Sequence, residues 1–160
     1  MQTSRNRLVE LRNLVDIRVA TAELIDLEEM QRQLARFLVV RSAGHLEFTL
    51  DECIAGYVES RADPSVISYV KSGLKRGSNP WPKTLVGQVA KFKGEWGSVL
   101  ESQLAAEDER LNLMIKHMVG QRNSIAHGQN EGVTVRKSLD YCQAALEVAD
   151  WLVTTMNPGS

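Results

Sequence analysis

Gln121-Arg122-Asn123-Ser124-Ile125-Ala126-His127-Gly128 is the stretch of this chain whose residue types can do chemistry. With Leu111 set at zero and about 100° per residue, Ile115, Met118 and Ile125 lie within about 40° of it and Arg122 near +20°. A guanidinium therefore falls within an apolar stripe, where an uncompensated charge is costly. It must either meet an internal carboxylate, such as Glu47 or Glu52, or line a cleft or interface that receives an anionic visitor. The imidazole of His127 offers proton transfer near neutral pH, and the planar guanidinium fork suits phosphate-like oxygens. The two do not converge on one straight helix, because His127 lies about 140° around and ~7.5 Å along from Arg122. Asn123 and His127, spaced i and i+4, do share a face. Two copies of this helix packed about a two-fold axis would gather an Arg and a His from each chain around one groove.

Other site signatures are absent from the sequence. There is no Gly-x-Gly-x-x-Gly, and Gly73 to Gly77 has neither the spacing nor the Gly-Lys-Ser/Thr ending of a phosphate loop. His45-Leu46-Glu47 lacks the Pro-Cys-x-x-Cys half of a deaminase site, and His-Glu-x-x-His does not occur. No metal and no cofactor is expected. His45 and His117 have no partners at ligand spacing and read as surface or satisfied core residues. Cys53 and Cys142 are too few and too far apart for a disulfide framework or a zinc knuckle, and both fall on helical apolar stripes. They read as reduced core thiols.

Arg122, a polar Asn123 and then His127 resemble the Arg-x4–6-His motif of HEPN domains. The longer string Arg-Asn-x-Ile-Ala-His-Gly is similar to the RiboL-PSP-HEPN subgroup, as are the Asn79-Pro80 turn and the helix order from about Leu34 to Val153. The resemblance implies an up-and-down helical bundle that homodimerises, with metal-independent endoribonuclease activity in many members. Many such proteins are toxins or effectors in prokaryotic conflict and antiphage systems, which implies an antitoxin or regulatory partner. Carried over residue by residue, Arg122 and His127 would be the catalytic pair and Asn123 the polar residue that orients the histidine. A toxin subgroup has tyrosine two positions after the motif histidine, modified by a partner nucleotidyltransferase. Here Gln129 stands in that place and sets this chain apart from that scheme.

The residue types suit that chemistry on their own terms. Cleaving RNA without a metal requires a base for the ribose 2′-OH, an acid for the departing 5′-oxygen, and cationic donors for the charge that grows on the phosphorane. Two histidines and two arginines from a dimer supply all three. Histidine, with an ordinary pKa of ~6.5, populates both protonation states near neutral pH. The products would be a 2′,3′-cyclic phosphate and a 5′-hydroxyl, and DNA, lacking the nucleophile, would survive. The alternative is a non-catalytic module that binds nucleotide, RNA or a partner subunit through the same groove.

The elements that must position these residues are helical. Only four prolines and three phenylalanines accompany many Leu, Ala, Val, Glu, Arg and Gln, so an all-α fold is expected. Apolar residues recur at helical spacing as Leu8, Leu11, Val15, Val19 and Ala22, then Leu27, Met30, Leu34, Phe37 and Leu38, in one long helix or two abutting ones. Past Ser42-Ala43-Gly44 the stripe resumes with Leu46, Leu50, Cys53 and Tyr57. Asp63-Pro64 predicts a helix start, with Asp as N-cap and Pro in the first turn, carrying Val66, Ile67, Val70 and Leu74 inward. Gly77 to Pro82 reads as a loop. Short helices follow on Leu85, Val86, Val89 and Phe92, and on Trp96, Val99, Leu100 and Leu104. A further helix opens on Glu107-Asp108-Glu109, where its dipole favours negative charge. The last helix is the most regular, with Val135, Leu139, Cys142, Leu146, Ala149 and Val153 forming a seam.

At 160 residues, 43% apolar and 24% charged, the chain reads as a single helical domain over residues 1–160, with residues 1–25 as a helical extension at its start. Its longest apolar run, Phe37-Leu38-Val39-Val40, is far short of the ~20 residues of a membrane span, so no membrane association and a cytoplasmic location are expected. The net charge of −1 excludes whole-chain steering of nucleic acid. Within it, Arg61 to Gly97 carries seven basic residues against two acidic, a local +5. Lys71, Lys75 and Arg76 in that stretch are the candidates for gripping an RNA backbone.

Overall fold

The computed structural model describes residues 2–16, 25–74, 79–129 and 132–156. Every regular element among them is a helix: α1 (Gln2–Asp16), α2 (Ile25–Glu59), α3 (Pro64–Leu74), α4 (Pro82–Ala90), α5 (Gly94–Ala126) and α6 (Val135–Met156). None is long and apolar enough to cross a membrane. Val19 and Ala22 lie outside the described residues, and so does any junction between α1 and α2.

α2 is a single helix of 35 residues, about 50 Å long, that runs through Ser42-Ala43-Gly44 without a break. It packs most extensively on α6. Val39, Ala43, Leu46, Leu50 and Cys53 of α2 meet Ala144, Ala145, Val148, Ala149 and Leu152 of α6, all at most 2% exposed. The alanines let the two backbones approach, and each fully buried Leu contributes roughly 1.5–3 kcal/mol. A smaller cluster of Leu8, Val15, Ala35, Leu38, Cys142 and Leu146 docks α1 against both. In that seam His45 is a satisfied core histidine, with Nδ1 at 3.1 Å from Ser4 Oγ and a pKa lowered chiefly by burial. Both cysteines are buried and neither is in a disulfide, and burial pushes the Cys142 thiol up, away from reactivity.

Three sequence expectations shift. Met30 and Phe37, placed on the inward stripe, are 55% and 53% exposed, because Ala35, Leu38 and Val39 take the inner face instead. Val66 of α3 also faces outward, and α3 buries no residue completely. The Asp63 cap does form, its Oδ1 accepting from the Ser65 backbone N–H at 2.9 Å. Finally, Glu107, Asp108 and Glu109 are not a first helical turn: all three sit at positive φ (52°, 55° and 61°) and kink α5. Side chains hold the kink, with Arg110 donating to Glu107 at 2.7 Å and to Glu147 of α6 at 2.8 Å.

The first half of α5 packs against α4 at a crossing that tolerates no side chain at Gly97. A Cβ built there would stand 2.6 Å from Ala90 Cβ and 3.2 Å from Ala90 Cα. Gly97→Ala, which in an open helix would gain about 1 kcal/mol of propensity, is expected here to destabilise by ~1–3 kcal/mol, because the obstacle is backbone and a short rigid side chain. Urea unfolding followed by circular dichroism checks the sign.

Candidate functional site

Arg122 lies in the last turns of α5, half-buried, as the apolar stripe requires. Its Nη1 donates to Asn79 Oδ1 at 2.7 Å and to Asn123 Oδ1 at 3.1 Å. Asn79 belongs to the loop that enters α4, where Pro80 is buried and Pro82 occupies the first helical turn. That loop holds the guanidinium in place. No carboxylate among the described residues pairs with Arg122, and its Nε and Nη2 make no hydrogen bond to a described residue. Two neutral amide oxygens orient the charge without neutralising it. Such a group retains its attraction for an anion.

His127 is the C-cap of α5 and is exposed. The chain leaves the helix there through Gly128, at φ +75°. Gly128 N–H donates to Ile125 O at 3.0 Å and Gln129 N–H to Ser124 O at 2.9 Å. This paired closure satisfies two terminal carbonyls and needs glycine at the left-handed position. The geometry sets the imidazole at the open end of the helix, one turn beyond Asn123, whose carbonyl accepts the His127 backbone N–H at 3.1 Å. The side chain of Asn123 turns the other way, toward Arg122. Arg122, Asn123 and Asn79 are thus brought together, while the His127 side chain makes no hydrogen bond to any of them.

A family model described as RiboL-PSP-HEPN matches residues 2–157, nearly the whole chain. The chain belongs to the RiboL-PSP-HEPN family. No curated protein and no solved structure matches it significantly.

In this HEPN chain one of the three candidates for gripping an RNA backbone, Lys71, is among the described residues. Lys71, on α3, forms an ion pair with Glu59 at the end of α2. Lys75 and Arg76 lie outside the described residues. Among the described residues no group of three or more His, Cys, Asp or Glu is arranged to hold a metal ion. Asn79 entered the sequence reading through the Asn79-Pro80 turn of the family resemblance and not as a partner of Arg122, from which it is 43 positions away.

Glu47 and Glu52, the carboxylates weighed as partners of Arg122, crowd Asp51 instead. Burial first, and then these two like charges, push the Asp51 carboxyl up to about 6. Because that lies above the ordinary 3.8, Asp51 takes up a proton on folding, so its contribution is complete below pH 3.8 and lost as pH rises through about 6. Asp51→Asn is therefore expected to stabilise the HEPN fold at pH 7 by about 1 kcal/mol after allowing for solvent screening, or ~2–4 °C in Tm. The gain should vanish below about pH 4, in thermal melts run at both ends of that range.

Proposed function

We propose that this chain is a metal-independent endoribonuclease that works as a homodimer with a composite site. In this reading Arg122 holds the scissile phosphate, and His127 of each protomer serves as base or acid. Asn123 and Asn79 position the guanidinium. The 2′-OH attacks phosphorus and the 5′-oxygen leaves, giving a 2′,3′-cyclic phosphate and a 5′-hydroxyl. A role as a toxin or effector in prokaryotic defence, restrained by an antitoxin or regulatory partner in the cytoplasm, fits such an activity.

The observation that carries the reading is the state of Arg122: half-buried, fixed by two amide oxygens, and unneutralised by any described carboxylate, at the helix end that also bears the exposed His127. A guanidinium kept charged in that way is a standing anion site. HEPN domains are commonly ribonucleases, which supports the assignment. Dimerisation is supported by α2, where exposed Met30, Phe37 and Phe48 fall within about 20° of one another and offer a second copy an apolar face. The alternative of a non-catalytic RNA-binding module is favoured by one feature: Asn123 engages Arg122, so no described side chain orients the imidazole.

Incubating the protein with single-stranded RNA and with DNA of matched sequence in excess EDTA separates these readings. Sedimentation of the same sample gives the oligomeric state. Cleavage of RNA alone by a dimer, lost in His127→Ala and Arg122→Ala, is the expected result; intact RNA that remains bound would leave the binding module.

A further inference from the structure

A groove of about 480 Å³ opens between α2, α3 and the turn after α4, lined by Ile54, Tyr69, Val70, Leu74, Lys91 and Phe92 among others. Its size falls in the range of small-molecule sites. Tyr69 flanks it with 81% of its surface exposed, on a helix that buries nothing completely. Packing does not account for an aromatic ring held out in that way. Phe92, on the opposite wall, is edge-on to Tyr57 at 5.3 Å, and Tyr57 is edge-on to Trp96 at 5.5 Å. Cations cover this aromatic cluster: the Arg61 guanidinium lies 4.0 Å from the Tyr57 ring centre and Lys93 Nζ 4.5 Å from that of Trp96. Lys91 donates to Gln88 Oε1 at 3.0 Å, which uses one of its three ammonium protons. Aromatic surface interleaved with basic side chains, all but Tyr57 from the sequence stretch of local charge +5, is complementary to a single-stranded polyanion that carries stacking bases.

The groove also has a fixed relation to Arg122. α4 has the Asn79 loop that holds Arg122 at its start, and Lys91 and Phe92 directly after its end. Its nine residues span about 13 Å, which corresponds to roughly four nucleotides at a stacked spacing of ~3.4 Å, and fewer in an extended strand.

We propose that this groove is a nucleobase subsite for the same single-stranded RNA, receiving a base within about four nucleotides of the phosphate at Arg122. Tyr69 stacks on that base and Lys91 contacts the adjoining phosphate. The assignment rests on the ribonuclease reading above for its ligand, and adds a reason for a minimum substrate length.

The test uses the full chain with Tyr69→Ala and Tyr69→Phe, a 12-nucleotide RNA and a dinucleotide, whose two bases flank the phosphate and do not reach the groove. Tyr69→Ala should raise KM for the 12-mer by roughly 5- to 150-fold with kcat unchanged, while leaving the dinucleotide as it was. Tyr69→Phe, which keeps the stacking face, should behave as wild type. An abasic nucleotide walked along the 12-mer should reproduce the defect at a single position near the cut. An unchanged KM in Tyr69→Ala, or equal losses on both substrates, would overturn the subsite and leave the ribonuclease assignment standing. If no RNA is cut, fluorescence anisotropy with a 2′-O-methyl 12-mer decides separately: binding weakened by Tyr69→Ala retains the subsite without the catalysis, and equal or absent binding removes it.

Discussion

His127→Ala should abolish RNA cleavage while leaving the helical bundle as stable as before. A positioned acid or base contributes typically 10²–10⁴-fold, and a symmetric dimer made wholly of the variant loses its base and its acid together, so the loss should lie at or beyond the upper end of that range. Nothing in the fold depends on the imidazole. The residue is exposed, and the helix end is closed by backbone hydrogen bonds from Gly128 and Gln129. A surface replacement of this kind shifts stability by about 0.5 kcal/mol or less. Single-turnover cleavage set beside a thermal melt makes the distinction: lost activity with an unchanged Tm is the chemical result, whereas a Tm that falls with activity would mark His127 as a structural cap.

Arg122 should behave differently, because it is both a ligand for phosphate and a tie between α5 and the loop before α4. Arg122→Ala is expected to lower kcat by about 10²–10³-fold, the usual cost of removing one donor aimed at developing charge. It should also destabilise by ~1–3 kcal/mol, since Asn79 and Asn123 lose the donor their side-chain oxygens share. Arg122→Lys keeps the charge but gives up the planar fork. An ammonium that makes both bonds of Nη1 keeps one proton for phosphate, where the guanidinium keeps the Nε and Nη2 fork, so activity should stay well below wild type even where stability recovers. Steady-state kinetics and urea unfolding on the two variants separate charge from geometry.

Most of what frames this site was legible in the residues. Asp63-Pro64 announced α3 through its cap, and the proline-rich stretch before Leu85 announced the break before α4. Each is a local signal, readable because the backbone conformation depends on the residue itself. The misplacements are non-local. Met30 and Phe37 looked like core because their spacing is helical, yet α2 meets α1, α6, α5 and α3 along its length, and the direction of burial turns with its neighbours. Three acidic residues in succession at positive φ contradict the ordinary preference of L-residues, so nothing in Glu107-Asp108-Glu109 advertised a kink rather than a helix start. The partner of Arg122 was hidden for a similar reason. Periodicity showed that the guanidinium needed company, but only the packing of α4 on α5 brings Asn79 within 2.7 Å of it.

The chemistry assigned to Arg122 and His127 is tested most directly by the ends it leaves. Single-stranded RNA incubated in excess EDTA with the wild-type chain, then analysed by mass spectrometry, should yield only 2′,3′-cyclic phosphate and 5′-hydroxyl termini, and His127→Ala should yield none. Fragments ending in 3′-hydroxyl and 5′-phosphate, or equal cutting by His127→Ala, would contradict it.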